Sequence, residues 1–321
     1  MAAPHTPNGS TRLKSVGWGD VVFRITLTGL AAAIPLLFLA LIGQLIYESW
    51  PAIQAFGIRF LTTSTWDPVK SVFGAAPMIF GTLFSSLIAL ILAVPLAVGV
   101  AIYLTEFAPG WLRRPVATLV ELLAAIPSVV YGLWGIFVLI PLLRTYVTSP
   151  LQAVLGWTPF FSGTFFGNSM LAAGIILAIM ILPYISSVSR EVLAAVPPSQ
   201  REAALALGAT RWEAVWSAVL PYARTGVMGA IVLGLGRALG ETMAVVMVIG
   251  NRHALSVSLI EPGATMASVI ANEFNEAAGL QRAALFEVGL VLFGVTLAVN
   301  AAARFLVWRV AKDSAVGSRA I

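Results

Sequence analysis

One arginine and one glutamate stand four residues apart in a stretch with almost no other polarity. Gly226–Gly250 reads GVMGAIVLGLGRALGETMAVVMVIG and carries Arg237 and Glu241. A guanidinium near the centre of a membrane-length helix costs about 2.5–3.5 kcal/mol on insertion scales, so Arg237 is expected to face a bundle interior or an aqueous path. On a helix, residue i+4 shares the face of residue i, which would set Glu241 beside it. Two roles fit this spacing. The pair could be a permanent ion pair buried against neighbouring helices, although Arg before Glu is the poorer order for the helix dipole and a buried pair is weak evidence of stability. Alternatively, Arg237 could meet a passing anion, because its planar fork offers several directed donors and stays charged. Glu241 would then hold the guanidinium in one state and release it in another. Gly236 and Gly240, in G-x-x-x-G spacing, mark a close-contact helix surface under either role.

A second constellation lies upstream, in 196–221. After Val196 the chain reads PPSQREAALALGATRWEAVWSAVLP. Ser199 with Glu202, and Thr210 with Glu213, each match the S/T-x-x-E capping box, so two short helices separated by Gly208 are expected. The first would have only one or two turns and would fray in water unless it lay on a surface. Ala203, Ala204 and Leu207 give it a narrow apolar face with room for close backbone approach, and Gly208 permits a sharp exit. Glu202, Ala203, Ala204, Leu207 and Gly208 are therefore candidates for docking a cytoplasmic partner in a helix-in-groove contact.

Catalytic chemistry is not signalled. The chain has no G-x-x-x-x-G-K-[S/T] phosphate loop, no Cys, and only His5 and His253. Neither ATP hydrolysis by this chain nor a Cys- or His-rich metal site is expected, and no nucleophile–base series stands out. No cofactor is expected on this chain and it is not read as an enzyme.

These residues must be positioned by membrane helices. Hydrophobic residues make up 59% and charged residues 10% of the chain, too few charges to solubilise a surface that lipid does not cover. Six apolar stretches are each near the 20 residues that cross about 30 Å of hydrocarbon: Ile25–Tyr47, Met78–Tyr103, Leu119–Leu143, Asn168–Ser189, Gly226–Gly250 and Ala284–Val307. The expected fold is an all-α polytopic membrane protein of six transmembrane helices. Pro35, Pro95, Pro127, Pro141 and Pro183 should bend or break several of them. Most basic residues, including Arg12, Lys14, Arg113, Arg114, Arg190, Arg201, Arg211 and Arg319, fall on the side of the N-terminus, whereas Arg59, Lys70, Arg144, Arg252 and Arg282 fall opposite. The positive-inside rule places both termini in the cytoplasm. The expected organisation is a flexible cytoplasmic tail at 1–24, a six-helix domain at 25–307 containing the 196–221 loop, and a cytoplasmic tail at 308–321. The net charge of +5 comes without a long basic run interleaved with aromatics, so nucleic acid is not an expected partner.

Glu202-Ala203-Ala204, Gly208 and Leu220-Pro221 resemble the EAA signature of ABC importer permeases, although Ala218 replaces a larger aliphatic residue. Leu235 to Val245 and Val248-Ile249-Gly250-Asn251 are similar to phosphate-specific ABC importer permeases, especially their C-type membrane subunit. So are Phe73-Gly74, Gly81-Thr82 and Ile126-Pro127-Ser128-Val129-Val130-Tyr131-Gly132. The likeness covers most of 70–307. It implies a type I ABC importer permease fold in the cytoplasmic (inner) membrane and import of inorganic phosphate by alternating access. It also implies a sister phosphate permease subunit, a dimeric cytoplasmic ATPase that uses ATP and Mg, and a periplasmic or extracellular phosphate-binding protein. In that family, Arg237 and Glu241 would line or gate the path. A permease for sulfate or phosphonate, or an ATP-independent secondary transporter, is the alternative.

Overall fold

The computed structural model describes residues 18–317. Arg12, Lys14 and Arg319, and the outer parts of both expected tails, lie outside the described residues. The chain divides into two units, Met1–Tyr47 and Glu48–Ile321. From Trp18 onward the first unit is an uninterrupted apolar helix, part of α1 (Trp18–Phe56), so helix replaces the expected tail over residues 18–24.

The second unit is helical, with α2 (Ala76–Phe107), α3 (Gly110–Ala125), α4 (Ser128–Leu155), α5 (Met170–Ala194), α6 (Pro198–Ala206), α7 (Arg211–Gly240), α8 (Met243–Val248), α9 (Met266–Glu273) and α10 (Gly279–Gly317). Among the described residues, six helices are long and apolar enough to cross a membrane, in line with the expected number, and no strand is longer than an isolated bridge. The final helix continues past Val307, so helix also occupies the start of the region read as a C-terminal tail.

Two expected spans are revised. The third, read as Leu119–Leu143, is interrupted at Ile126–Pro127, and its membrane-length piece is α4. Pro127 has no N–H to continue the ladder and restricts the residue before it, so α3 ends at Ala125. The fifth, read as Gly226–Gly250, stops at Gly240; Glu241 is extended (ψ 128°) and α8 starts afresh at Met243. Elsewhere proline perturbs the helix without ending it. Pro95 and Pro183 lie inside α2 and α5. Wider π turns precede Pro221 (Val215–Val219) and flank Pro141 (Gly135–Leu139 and Leu143–Thr148), where the missing N–H loosens the i→i−4 ladder.

The centre of this unit is the α2–α5 contact. Ala89, Ala93, Ala97 and Ala101 recur every fourth residue and are fully buried, forming a small-residue stripe that lets two backbones approach closely. Ala172, Ala173 and Gly174 answer from α5, where a Cβ on Gly174 would strike Ile88. At the outer end, Gly81 and Thr82 receive the chain that leads into α9. A Cβ on Gly81 would run into the Ala264 carbonyl oxygen, and Thr82 Oγ1 accepts the Met266 N–H at 3.0 Å. Large apolar side chains remain exposed along α2, α4 and α10, including Ile91, Leu96, Phe137, Leu297 and Phe305, as lipid or another membrane chain requires.

Candidate functional site

Arg237 lies in the last turn of α7, three residues before the helix ends. The extended backbone at Glu241 removes the shared helical face on which the i,i+4 pairing was expected, and no ion pair joins Arg237 to Glu241. Glu241 instead turns toward the start of α8, where Oε1 accepts the Ala244 N–H at 3.5 Å. Its carboxylate serves one of the first orphan amides of that helix.

The guanidinium of Arg237 lies over the Tyr184 ring, 4.3 Å from its centroid. Such a cation–π contact is worth about 0.5–2 kcal/mol and leaves the in-plane N–H donors uncommitted. Nε is buried and has no hydrogen-bond partner among the described residues.

The ring beneath the guanidinium is fixed by the interrupted third span. Because Pro127 cannot donate, the carbonyls of the last turn of α3 need other partners. Tyr131 O–H donates to the Leu123 carbonyl at 2.8 Å, and Tyr184 O–H donates to the Ala124 carbonyl at 3.2 Å. Tyr131 lies within electrostatic reach of both Tyr184 and Arg237. Two helix interruptions, 125–128 and 240–243, thus border one cation that still has a buried donor to give. Helix breaks at membrane depth are tolerated where they line a cavity or are buried in protein. The arrangement suits a tetrahedral oxyanion, which can take several N–H bonds at once.

Gly236 and Gly240 are not a close-contact pair within this chain. A Cβ at Gly236 would make only ordinary contact with Asn300, and at Gly240 it would meet nothing within 4 Å. The tight glycines of α7 are Gly226 against Val192 and Gly234 against Ile185, both on the face toward α5.

In the loop, α6 begins at Pro198 with Pro197 at its cap, so Ser199 falls inside the helix and the first capping box does not form. Pro at the first helical position supplies the start in its place. The second box does form: Thr210 Oγ1 accepts the Glu213 N–H and Glu213 Oε2 accepts the Thr210 N–H at 2.7 Å. Gly208 has φ +85°, a left-handed exit that a side chain would strain. Glu202, Ala203 and Leu207 are exposed, Ala204 is half-buried, and Leu207 keeps 90% of its surface.

Sequence reading missed what anchors α6. Arg201 grips Glu106 with Nε and Nη2 at 2.7–3.1 Å and donates to the Val196 and Leu193 carbonyls at 2.6 and 2.9 Å. This clamps the short helix to the ends of α2 and α5, leaving its apolar face outward. The only hint was an arginine one residue before Glu202; its partner lies 95 residues earlier.

On the opposite side, Glu273 ties the outer connections together. It accepts from Trp66 Nε1 at 2.9 Å and Gln281 Nε2 at 3.1 Å, and His253 Nε2 lies 3.0 Å away. Burial acts to raise the Glu273 carboxyl, but the nearby His253 ring and the bonds from Trp66 and Gln281 outweigh it and hold the group below the usual carboxylate range. Asn168, Ser169 and Asn251 do helix-end work. Ser169 Oγ accepts the Ala172 N–H, while the Asn168 and Asn251 amides donate to the carbonyls of Met247 and Val246.

Residues 93–312 match the family described as binding-protein-dependent transport system inner membrane component. The chain is 49% identical over 297 residues to the phosphate transport system permease protein PstC of Pasteurella multocida, with 91% of this chain and 93% of that one covered. It is 46% identical over 294 residues to the PstC protein of Haemophilus influenzae, covering 90% and 93%. Among solved structures, a chain of a bacterial alginate ABC transporter in complex with an alginate pentasaccharide-bound periplasmic protein aligns with a TM-score of 0.62 at 16% identity, over 92% of this chain and 98% of that one. That likeness is one of fold.

Proposed function

The chain belongs to the phosphate transport system permease proteins (PstC) within the binding-protein-dependent transport system inner membrane components, and from that premise we propose that Arg237 is the group past which the imported phosphate moves. The protein is a multi-pass inner-membrane permease subunit of a phosphate-specific ABC importer and is not itself an ATPase. The observation that supports the role of Arg237 is its buried, unpartnered Nε on a guanidinium stacked over Tyr184 between two helix breaks. A donor left open at membrane depth is costly unless something passes to take it.

Transport needs transient binding. The aromatic face holds the guanidinium without consuming its N–H donors, so phosphate can bond to it and leave when the bundle changes shape. Glu241, at the hinge between α7 and α8, is placed to move when that break opens or closes. It acts here as a gating residue rather than as a fixed counter-ion.

The other half of the mechanism is α6. Its outward Leu207, Ala203 and Glu202, held by the Arg201–Glu106 clamp, suit a groove on a dimeric cytoplasmic ATPase. ATP binding there, with Mg, would push a helix that is tied directly to α2 and α5. A sister permease would complete the path, and an external phosphate-binding protein would load it at the outer connections.

The test is phosphate uptake by the complete importer in vesicles, after insertion and assembly of each variant are verified. Arg237→Ala is expected to lower uptake at least about tenfold, the effect of removing one charge-assisted contact, with Arg237→Lys keeping part of it. Normal uptake by both variants would contradict the anion role.

A further inference from the structure

On the cytoplasmic side, α3, the end of α2, the end of α5 and the start of α6 surround a cavity of about 770 Å³. Arg113, Arg114, Arg190 and Arg201 line it against Glu106, Glu121 and Glu191, so positive charge is in excess. The arginines are not equivalent. Arg201 is committed to Glu106 and two carbonyls, and forms a fixed wall. Arg113 gives one nitrogen to the Thr105 carbonyl at 2.9 Å. Arg190 makes a single-nitrogen ion pair with Glu121, Nη2 to Oε1 at 2.6 Å, and that carboxylate is 56% exposed. A pair held through one nitrogen, with its carboxylate more than half exposed, is weak enough to exchange partners.

The pair sits next to the Arg237 site along the same helix. Tyr184, under Arg237, touches Ala124 of α3, and Arg190 touches Glu121, one turn nearer the cytoplasmic start of α3. Arg113 and Arg114 follow near that start, where the free amides of a helix favour an anion rather than a cation. Cations are therefore spaced from membrane depth to the cytoplasmic mouth.

We propose that this cavity is a second holding station for the imported oxyanion, in which Arg190 alternates between Glu121 and the anion. The station rests on the reading of Arg237 as the membrane-depth site and extends it to the exit. An oxyanion released from Arg237 would displace Glu121 from Arg190, and Glu121 would then compete it off, so that no single site traps it.

The test uses proteoliposomes carrying the complete importer with ATP inside, and measures how inner inorganic phosphate inhibits uptake. Glu121→Gln frees Arg190 and should lower the half-inhibiting inner phosphate concentration about threefold; Arg190→Gln should raise it about threefold, and Arg190→Lys should lie closer to wild type. Glu121→Gln keeps the shape of the side chain, so the prediction does not depend on Arg190→Gln assembling. Unchanged half-inhibition in Glu121→Gln, or a shift in the opposite direction, overturns the station. Normal uptake by both Arg237→Ala and Arg237→Lys would instead refute the underlying reading of Arg237, which keeps the two failures apart.

Discussion

At the scale of single residues, the same side-chain type does two opposite jobs. Arg237 keeps a buried donor open over an aromatic face, whereas Arg201 spends its donors on Glu106 and two backbone carbonyls. An open cation is suited to a passing ligand and a saturated one to force transmission. Arg201→Ala should therefore leave Glu106 half-buried without its partner, at a cost of about 1–3 kcal/mol, and loosen α6 from the bundle. The expected outcome is assembled complex whose ATPase is poorly stimulated by the loaded binding protein; stimulation equal to wild type would contradict the clamp. The charge of Arg237 was legible in the sequence because it interrupts an apolar run. Its aromatic partner was not, since Tyr184 is brought to it only by the packing of α7 on α5.

At the scale of elements, periodicity revealed how many crossings there are but not where two of them stop. Gly236-Arg237-Ala238-Leu239-Gly240 and Glu241 read equally well as continuing helix, and hydropathy is blind to a single extended residue such as Glu241. Pro127 did signal its break, yet the apolar residues on both sides concealed that α3 and α4 are separate pieces. The G-x-x-x-G pair drew attention to a face of α7 that meets little in this chain, while the alanine stripe of α2, with the same four-residue period, carries the central contact. Gly81 is the element-level point most open to test, because its neighbour is a backbone oxygen that cannot rotate away. Gly81→Ala should displace the chain before α9, break the Thr82–Met266 bond and lower the thermal unfolding midpoint of the detergent-solubilised complex, for a loss of about 1–3 kcal/mol. An unchanged midpoint would mean that this approach is looser than described.

At the scale of the whole molecule, the proposed function asks two places on one chain to work together: a guanidinium between helix breaks and a short cytoplasmic helix clamped to α2 and α5. Composition indicated a membrane bundle, and the EAA-like residues indicated a docking loop. Neither indicated the physical link between them, which runs through Arg201, Glu106 and the small-residue α2–α5 interface. That link is tertiary and has no local sequence signature. The account requires uptake to be driven by ATP in a partner and to be selective at Arg237. The most direct measurement is accumulation of labelled phosphate by vesicles containing the complete importer, with the ATPase subunits either active or catalytically inactive, in competition with sulfate and phosphonate. The account predicts ATP-dependent accumulation that inactive ATPases abolish and that excess sulfate or phosphonate leaves largely intact. Accumulation that persists with inactive ATPases and follows an ion gradient would contradict it.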